Sequence, residues 1–525
     1  METLSNLGEG FASAIQPMSL LFAFVGVLLG TIVGVLPGIG PISAIAILIP
    51  VSFGMEPVHG LIMLCGVYYG SMYGGSITAT LIKTPGEVAS AVTAIDGYEM
   101  AKRGRAKAAL ATAALGSFFA GTLAIIGLSF LSPVLVQTAK VFGAAEYFLL
   151  MLMALLLASS MSTGSRTKSL ISILIGLAVG LIGLDFQTGL PRQTFGISEL
   201  RDGIDFTIFA MALFAVPESV RQLSKLVRPQ KPDEVQGLAP GQWMTKEDWR
   251  RSSGPWARGS VLGFVIGLLP GVGPSLASFM SYIMEKRLSK RPKEFGHGAI
   301  EGVAGPEAAN NAGVGGAMIP LFSLGIPGSA TTALLLFVFT MYGLQPGPLL
   351  FTQESTLIWT IIASMYIGNI ALVLLNLPLV GLFVRLLKIP TELLFSGVLV
   401  LVCIGAYAID FSLMGMLFIG LFGLLGYVMD KFGFPLSPAV LALVLVPLLE
   451  DNFRRFLQIS GGDLTPLITR PISLILVFVI AAGIVGPNVV RFILFRRDRA
   501  RADSREGSAS NAESEESEPS TTETV

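Results

Sequence analysis

The chain carries the same broken-helix signature twice. Residues 26–41 read GVLLGTIVGVLPGIGP and residues 259–274 read GSVLGFVIGLLPGVGP, an offset of 259 − 26 = 233 that keeps seven glycines and prolines in register. A Pro-Gly-x-Gly-Pro turn cannot continue an α-helix, because proline lacks the N–H and glycine readily takes positive φ. Each turn nevertheless follows an apolar run. Non-helical backbone in hydrocarbon survives only where it is buried in protein or lines an aqueous cavity, since every unpaired N–H or C=O costs several kcal/mol. The two turns, Pro37, Gly38, Gly40, Pro41 and Pro270, Gly271, Gly273, Pro274, are therefore candidate walls of one site.

The surroundings are those of a membrane protein. Only 13% of residues are charged, against roughly 25% in an ordinary soluble domain. Apolar runs long enough to span a bilayer recur at 108–135, 145–162, 169–185, 356–382, 391–409, 411–429 and 471–494. Charges gather in a few segments that read as loops, not nucleic-acid patches. The N-terminus METLSNLGEG lacks the basic stretch of a cleavable signal peptide. Cys65 and Cys403 both sit in apolar runs and imply neither a disulfide nor a thiolate metal site.

Duplication extends past the turns. GGSITATLIKTPG (74–86) answers GGAMIPLFSLGIPG (315–328), and AVPESVRQL (215–223) answers VPLLEDNFRRF (446–456). Lysine and arginine mark the cytoplasmic loops. The loop 96–107 holds four basic residues and its counterpart 341–355 none; 55–60 holds none and its counterpart 285–293 five. Equivalent loops should thus face opposite sides. The segment 259–284 lies between two basic stretches, and each limb around its turn has only about ten residues, half a span. It reads as a re-entrant hairpin, with 20–53 as its inverted partner. The fold expected is an all-α polytopic membrane protein of two inverted structural repeats with re-entrant helical hairpins and about 11 transmembrane crossings. Its parts are an N-terminal segment 1–17, a first membrane repeat 18–230, a cytoplasmic linker 231–257, a second membrane repeat 258–470, a final transmembrane helix 471–495, and a basic then acidic disordered tail 496–525.

Broken helices between inverted repeats are where secondary transporters bind substrate, with amides offered to an anion and carbonyls to a cation. Around the second Pro-Gly break, Asn310, Asn311, Pro327, Gly328, Ser329, Thr331 and Thr332 add amide and hydroxyl groups; around the first, Thr84, Pro85 and Gly86 do so, with Lys83 as an anion's counter-charge or, with Glu87, an interfacial pair. Glu301 and Glu307 read as cytoplasmic-edge residues. The glycine rows 26/30/34 and 259/263/267 read as helix packing. No GxxxxGK[ST] or HExxH occurs, and His59 and His297 are too few for a histidine metal site. Ser460-Gly461-Gly462-Asp463 falls one glycine short of GxGD. Transport of a small organic anion is the leading reading; a channel or exporter of small anions ranks second and a membrane hydrolase third.

The strings GVLPGIGP (34–41), YGGSITATLIKTPGE (73–87), DGYEMAKRGRAKAAL (96–110), EGVAGPEAANNAGVGGAMIPLFSLGIPGSATTALLL (301–336) and RPIS (470–473) resemble the large permease subunit of the tripartite tricarboxylate transporters, the TctA family. The resemblance runs from about residue 18 to 495 and departs from the family pattern at Phe337-Val338. It implies a bacterial inner-membrane permease working with a small integral-membrane subunit and a periplasmic solute-binding protein; the basic segment 491–505 after the final helix separately puts the C-terminus in the cytoplasm. It also implies uptake of a tricarboxylate or related small carboxylate, driven by a Na⁺ or H⁺ gradient, with no other cofactor. Na⁺ would sit at the hairpin tips.

Single cysteines near Arg103 and near Pro346, in a background lacking Cys65 and Cys403, should react with impermeant thiol reagents from opposite faces of the membrane. Reaction of both from one face contradicts the inverted topology.

Overall fold

The computed structural model describes residues 2–36, 38–161, 165–185, 187–227, 243–386 and 389–483. The fold is helical throughout, apart from a two-residue antiparallel pairing of Gly183–Leu184 with Pro191–Arg192. The first half comprises α1 (Glu2–Ala14), α2 (Pro17–Val35), α3 (Gly40–Ser52), α4 (Pro57–Ile82), α5 (Thr93–Lys102), α6 (Ala106–Ala139), α7 (Ala144–Met161), α8 (Arg166–Gly180) and α9 (Phe206–Val227). The second comprises α10 (Lys246–Gly267), α11 (Gly273–Leu288), α12 (Glu301–Leu324), α13 (Ala330–Met341), α14 (Pro348–Gln353), α15 (Ser355–Asn376), α16 (Val380–Leu386), α17 (Thr391–Asp410), α18 (Leu413–Lys431) and α19 (Ser437–Ile459). After them come α20 (Pro466–Thr469) and α21 (Pro471–Gly483). Proline stands in the first turn of α2, α3, α4, α11 and α19, where its missing N–H costs nothing.

The centre is built on the glycine rows. A Cβ on Gly26, Gly30 or Gly34 would strike the backbone of Met63, Val67 or Ser71 in α4, and one on Gly259, Gly263 or Gly267 would strike Gly305, Ala309 or Gly313 in α12. Rising in step, these contacts make α2 parallel to α4 and α10 parallel to α12. Flush packing buries α4 from Gly60 to Leu81 and α12 from Gly302 to Ser323 on all sides. Two helices apolar and small-residue-rich all round are what such a centre requires.

Two ends can be told apart. At one, Arg105 pairs with Asp248 at 2.5 Å, Arg251 with Glu294 at 2.6 Å and Glu301 at 2.7 Å, and Arg258 with Glu285 at 2.5 Å. At the other, Tyr342 donates to the Ser52 carbonyl at 2.6 Å and its ring abuts Gly60. The 26 residues of α4, about 39 Å at 1.5 Å per residue, separate them. The α2–α3 hairpin enters from the Tyr342 end, whereas α10–α11 enters beside Arg251 from the charged end.

Outside this centre, α9 packs on α17 and α18, and α19 on α7 and α8. Among the described residues six helices are long and apolar enough to cross a membrane: α2, α6, α9, α15, α17 and α18. Leu393, Val400, Leu401 and Ile404 on α17 and Leu417, Leu421 and Leu424 on α18 are exposed, the faces that lipid would cover.

The hairpin limbs are longer than the ten residues expected from the turns. α2 has 19 residues and α10 has 22, because α10 starts at Lys246 under a Thr245–Asp248 capping box and runs through the segment 246–257 read as linker. The capping box outweighs the charge density of that stretch. Residues 231–242 of the linker, 484–495 of the final helix, the tail 496–525 and Pro37 lie outside the described residues.

Gly263→Leu should lower stability by about 1–3 kcal/mol, the usual range for overpacking, because the Ala309 backbone has no room to withdraw. Gly420→Ala, with nothing within 4 Å of its added Cβ, should be neutral or stabilising. Thermal melting of both variants in detergent distinguishes them.

Candidate functional site

The two PGxGP turns meet. Gly38, Ile39, Gly40 and Pro41 from the first, and Gly271, Val272, Gly273 and Pro274 from the second, line one cavity of about 460 Å³. The turns share a geometry. Gly38 and Gly40 have φ of +89° and +62°, Gly271 and Gly273 of +79° and +71°, values that L side chains rarely adopt. Within each, an amide two residues past the first proline bonds three residues back: Ile39 to the Leu36 carbonyl at 3.5 Å, Val272 to that of Leu269 at 3.3 Å.

Behind each tip stands the Pro-Gly break of the neighbouring helix. A Cβ on Gly40 would lie 3.8 Å from the Gly86 carbonyl, and one on Gly273 would lie 3.5 Å from the Ser329 Cβ. Gly86 itself abuts the Gly34 carbonyl, and Gly328 packs on Ala317. Gly86 thus stands behind the first tip, and Thr84, Pro85, Gly86, Pro327 and Gly328 are absent from the cavity wall, as is Pro270, which is buried at the head of its turn. Ser329 and Thr331 do line it. The Ser329 and Thr332 hydroxyls close a capping box on α13, Thr332 N–H donating to Ser329 Oγ at 3.2 Å and Ser329 N–H to Thr332 Oγ1 at 2.7 Å. Thr332 is consumed in that cap.

Four helices begin at the cavity: α3 at Gly40, α11 at Gly273, α13 at Ala330 and α19 at Ser437. Helix N-termini present unsatisfied N–H groups and a partial positive charge, a favourable setting for an anion. Among the described residues the lining cation is Arg221 on α9, whose side chain is half exposed. Its Nη2 bonds Glu218, and its Nη1 stands 3.9 Å from Asp430. Glu87, Glu218 and Asp430 are the lining carboxylates.

Several readings are corrected by this arrangement. Lys83 is exposed, takes φ +57° at the end of α4 and lies over the Tyr98 ring at 5.7 Å, outside the cavity. Left-handed backbone turns it away, and no ion pair to Glu87 occurs among the described residues. Asn310 and Asn311 are wholly buried behind the wall. Asn310 Nδ2 donates to Glu87 Oε1 at 3.1 Å, and Asn311 Nδ2 to Ser117 at 2.7 Å and the Glu307 carbonyl at 3.1 Å. Glu301 does sit at the charged edge with Arg251. Glu307, one and a half turns along, does not: it is fully buried among helices α4, α5 and α12.

Arg221, Glu218 and Asp430 were missed by sequence reasoning. A signal was present: Glu218 and Arg221 sit at i, i+3 directly after the apolar run 206–216 of α9, and charges beside a membrane span are functional candidates. The segment 215–223 had been used only to trace the duplication.

Similar proteins agree with one another. Residues 20–441 match the family described as the tripartite tricarboxylate transporter TctA family. An uncharacterized 52.8 kDa protein of Agrobacterium vitis, from the 3′ region of ttuC′ in TAR-I, is 49% identical over 486 residues, covering 92% of this chain and 96% of its own. A second uncharacterized A. vitis protein, from the ttuC′ 3′ region of TAR-II, is 48% identical over 232 residues, 44% of this chain and 93% of its own. No solved structure matches. A match across most of the chain, joined to a helical fold rich in spanning helices, makes this protein a multi-pass membrane transporter component belonging to the tripartite tricarboxylate transporter TctA family.

Proposed function

We propose that this chain is the permease of a secondary transporter for small carboxylates, and that the cavity between the two PGxGP tips is where the carboxylate binds. The observation that carries the proposal is the convergence on one cavity of both broken hairpins, four helix N-termini and Arg221. Its volume falls in the range of about 300–1,000 Å³ that small-molecule sites occupy. A carboxylate would take N–H groups from Arg221 and the helix ends, competing with Asp430 for the loosely held guanidinium. One arginine faces three carboxylates across this wall, so a multiply charged anion needs a cation beside it; this favours symport over passage of the anion alone. The hairpin-tip residues, with Ser329 and Thr331, form the wall around substrate, while Asn310, Asn311 and Thr332 hold the wall in place.

Inverted repeats supply the motion. The hairpins enter from opposite ends, and outer contacts are exchanged in the same sense: α9 on α17 and α18, α19 on α7 and α8. Ion pairs follow that exchange. Arg221 of α9 faces Asp430 in the last turn of α18 at 3.9 Å, whereas Arg454 of α19 holds Asp185 after α8 at 2.7 Å, and Asp185 is 6% exposed. Hydrogen bonds from the Arg454 guanidinium hold the Asp185 carboxyl well below the usual carboxylate range. One latch loose and the other tight fits a permease caught open at a single end. The small membrane subunit and the periplasmic binding protein are inferences from the tripartite family, and the cytoplasmic C-terminus from the basic segment 491–505.

Arg221→Gln should raise the transport KM about tenfold or more, since a hydrogen bond to a charged group is worth about 1.5–3 kcal/mol. Insertion and thermal stability should be preserved. An unchanged KM in reconstituted vesicles, with citrate and a panel of di- and tricarboxylates, would remove Arg221 from the site.

A further inference from the structure

Among the described residues outside the cavity wall, Glu307 is a fully buried acid. It lies on α12, where Ser76 Oγ donates to Oε2 at 2.6 Å and Thr93 Oγ1 to Oε1. No cationic side chain pairs with it among the described residues. Cations of the packed elements are engaged elsewhere: on α10 Arg250 by Glu247, Arg251 by Glu294 and Glu301 and Arg258 by Glu285 of α11, on α5 Lys102 by Glu99, and on α6 Lys107 over the Trp243 ring. The buried ionisable groups are not cationic: Tyr73 of α4 donates to Asn369 at 3.1 Å, Asp96 of α5 is held by the amides of Gly296, Gly298 and Ala299 and by Tyr282, and Glu87 is bridged by Asn310. On α6 the group nearest in the network is the Ser117 hydroxyl, bonded by Asn311.

An ionised carboxylate buried with hydroxyl donors alone is costly. The neutral acid is not, because the network already accommodates one more proton. Ser76 Oγ lies 3.3 Å from the Met72 carbonyl, so it can accept from a Glu307 O–H while donating its own hydrogen to that carbonyl. Beside Ser76 and Ser117 lies a chamber of about 10 Å³, also lined by Tyr73 and by Asn376, whose buried Oδ1 has no hydrogen-bond partner. That is room for about one water molecule, and the Asn376 oxygen, without a partner among the described residues, could bond it. On the opposite side, one turn along α12, Asn310 reaches Glu87 in the cavity wall.

We propose that Glu307 is the site that takes up and releases the coupling proton, set back from the hairpin tips where Na⁺ was expected. In the step, a proton bonds to a Glu307 carboxylate oxygen from water on one side, giving a neutral acid, and leaves to water on the other side, restoring the carboxylate. This inference rests on the reading of the cavity as a carboxylate site, and two arms of one experiment keep the readings apart. The first arm treats membranes holding the full chain and its partner subunits with dicyclohexylcarbodiimide, an apolar reagent that adds across the O–H of protonated buried carboxyls. At pH 7 the peptide bearing Glu307 should carry the adduct, with or without Na⁺, and E307Q should lack it. An unmodified Glu307, or one shielded by Na⁺ at constant pH, overturns the proposal. In the second arm, wild-type vesicles should accumulate radiolabelled citrate under a proton gradient, whereas E307Q should exchange citrate but lose at least tenfold in accumulation. Accumulation by E307Q at the wild-type level also overturns the proposal. Wild-type vesicles that move no carboxylate under any gradient sink the cavity reading instead, and the adduct still judges Glu307. Should E307Q fail to reach the membrane, the wild-type adduct decides.

Discussion

Backbone that leaves its helix inside hydrocarbon has to find partners within the protein, and that constraint organises this fold. Each hairpin meets it in the same way. Glycines every four residues bring α2 against α4 and α10 against α12 at backbone contact, which seats each PGxGP tip against the break that ends the neighbouring helix. Gly40 comes to rest by Gly86 and Gly273 by Ser329. With the hairpins entering from opposite ends, both tips arrive at one depth, and the space they cannot fill is the cavity. Side chains at the glycine rows would push the tips out of reach of one another.

Much of this was legible in the chain because it depends on local chemistry repeated at a fixed offset. Proline and glycine at 37–41 and 270–274 announce the turns, the glycine rows announce close helix packing, and the uneven basic residues of loops 96–107 and 341–355 announce opposed ends. What escaped depends on contacts between distant segments. Ser76 and Glu307 are 231 residues apart and Arg454 and Asp185 are 269, and no spacing rule joins them. Lys83 looked like a counter-charge until its left-handed backbone turned it toward Tyr98. Arg221 was hidden by its neighbourhood in an amphipathic helix end. Asn310 and Asn311 were expected to face substrate because polar groups in apolar runs are functional by default; the structure buries both and bonds them to Glu87 and Ser117.

The electrostatic character of the site follows from which charges are fixed. Glu218 bonds Arg221 and Gln222, leaving Asp430 at 3.9 Å as the contact most easily exchanged for a substrate carboxylate. Helix ends contribute partial positive charge that does not itself titrate, beside the carboxylates Glu87, Glu218 and Asp430. In the coupling proposed above, the proton would be taken up away from the wall, in a part of α12 where charge is costly.

The most direct test of the central claim asks whether one ligand protects both hairpins at once. Cysteines placed singly at Ser43 on α3 and Ser275 on α11, both in the cavity wall, are exposed to a hydrophilic methanethiosulfonate reagent in a background lacking Cys65 and Cys403. Both positions should react, and the same transported carboxylate, found by titrating citrate and its di- and tricarboxylate relatives, should slow both reactions with one half-saturating concentration. Protection of only one hairpin, or reaction at both with no protection by any carboxylate that the vesicles transport, would contradict a shared site between the tips.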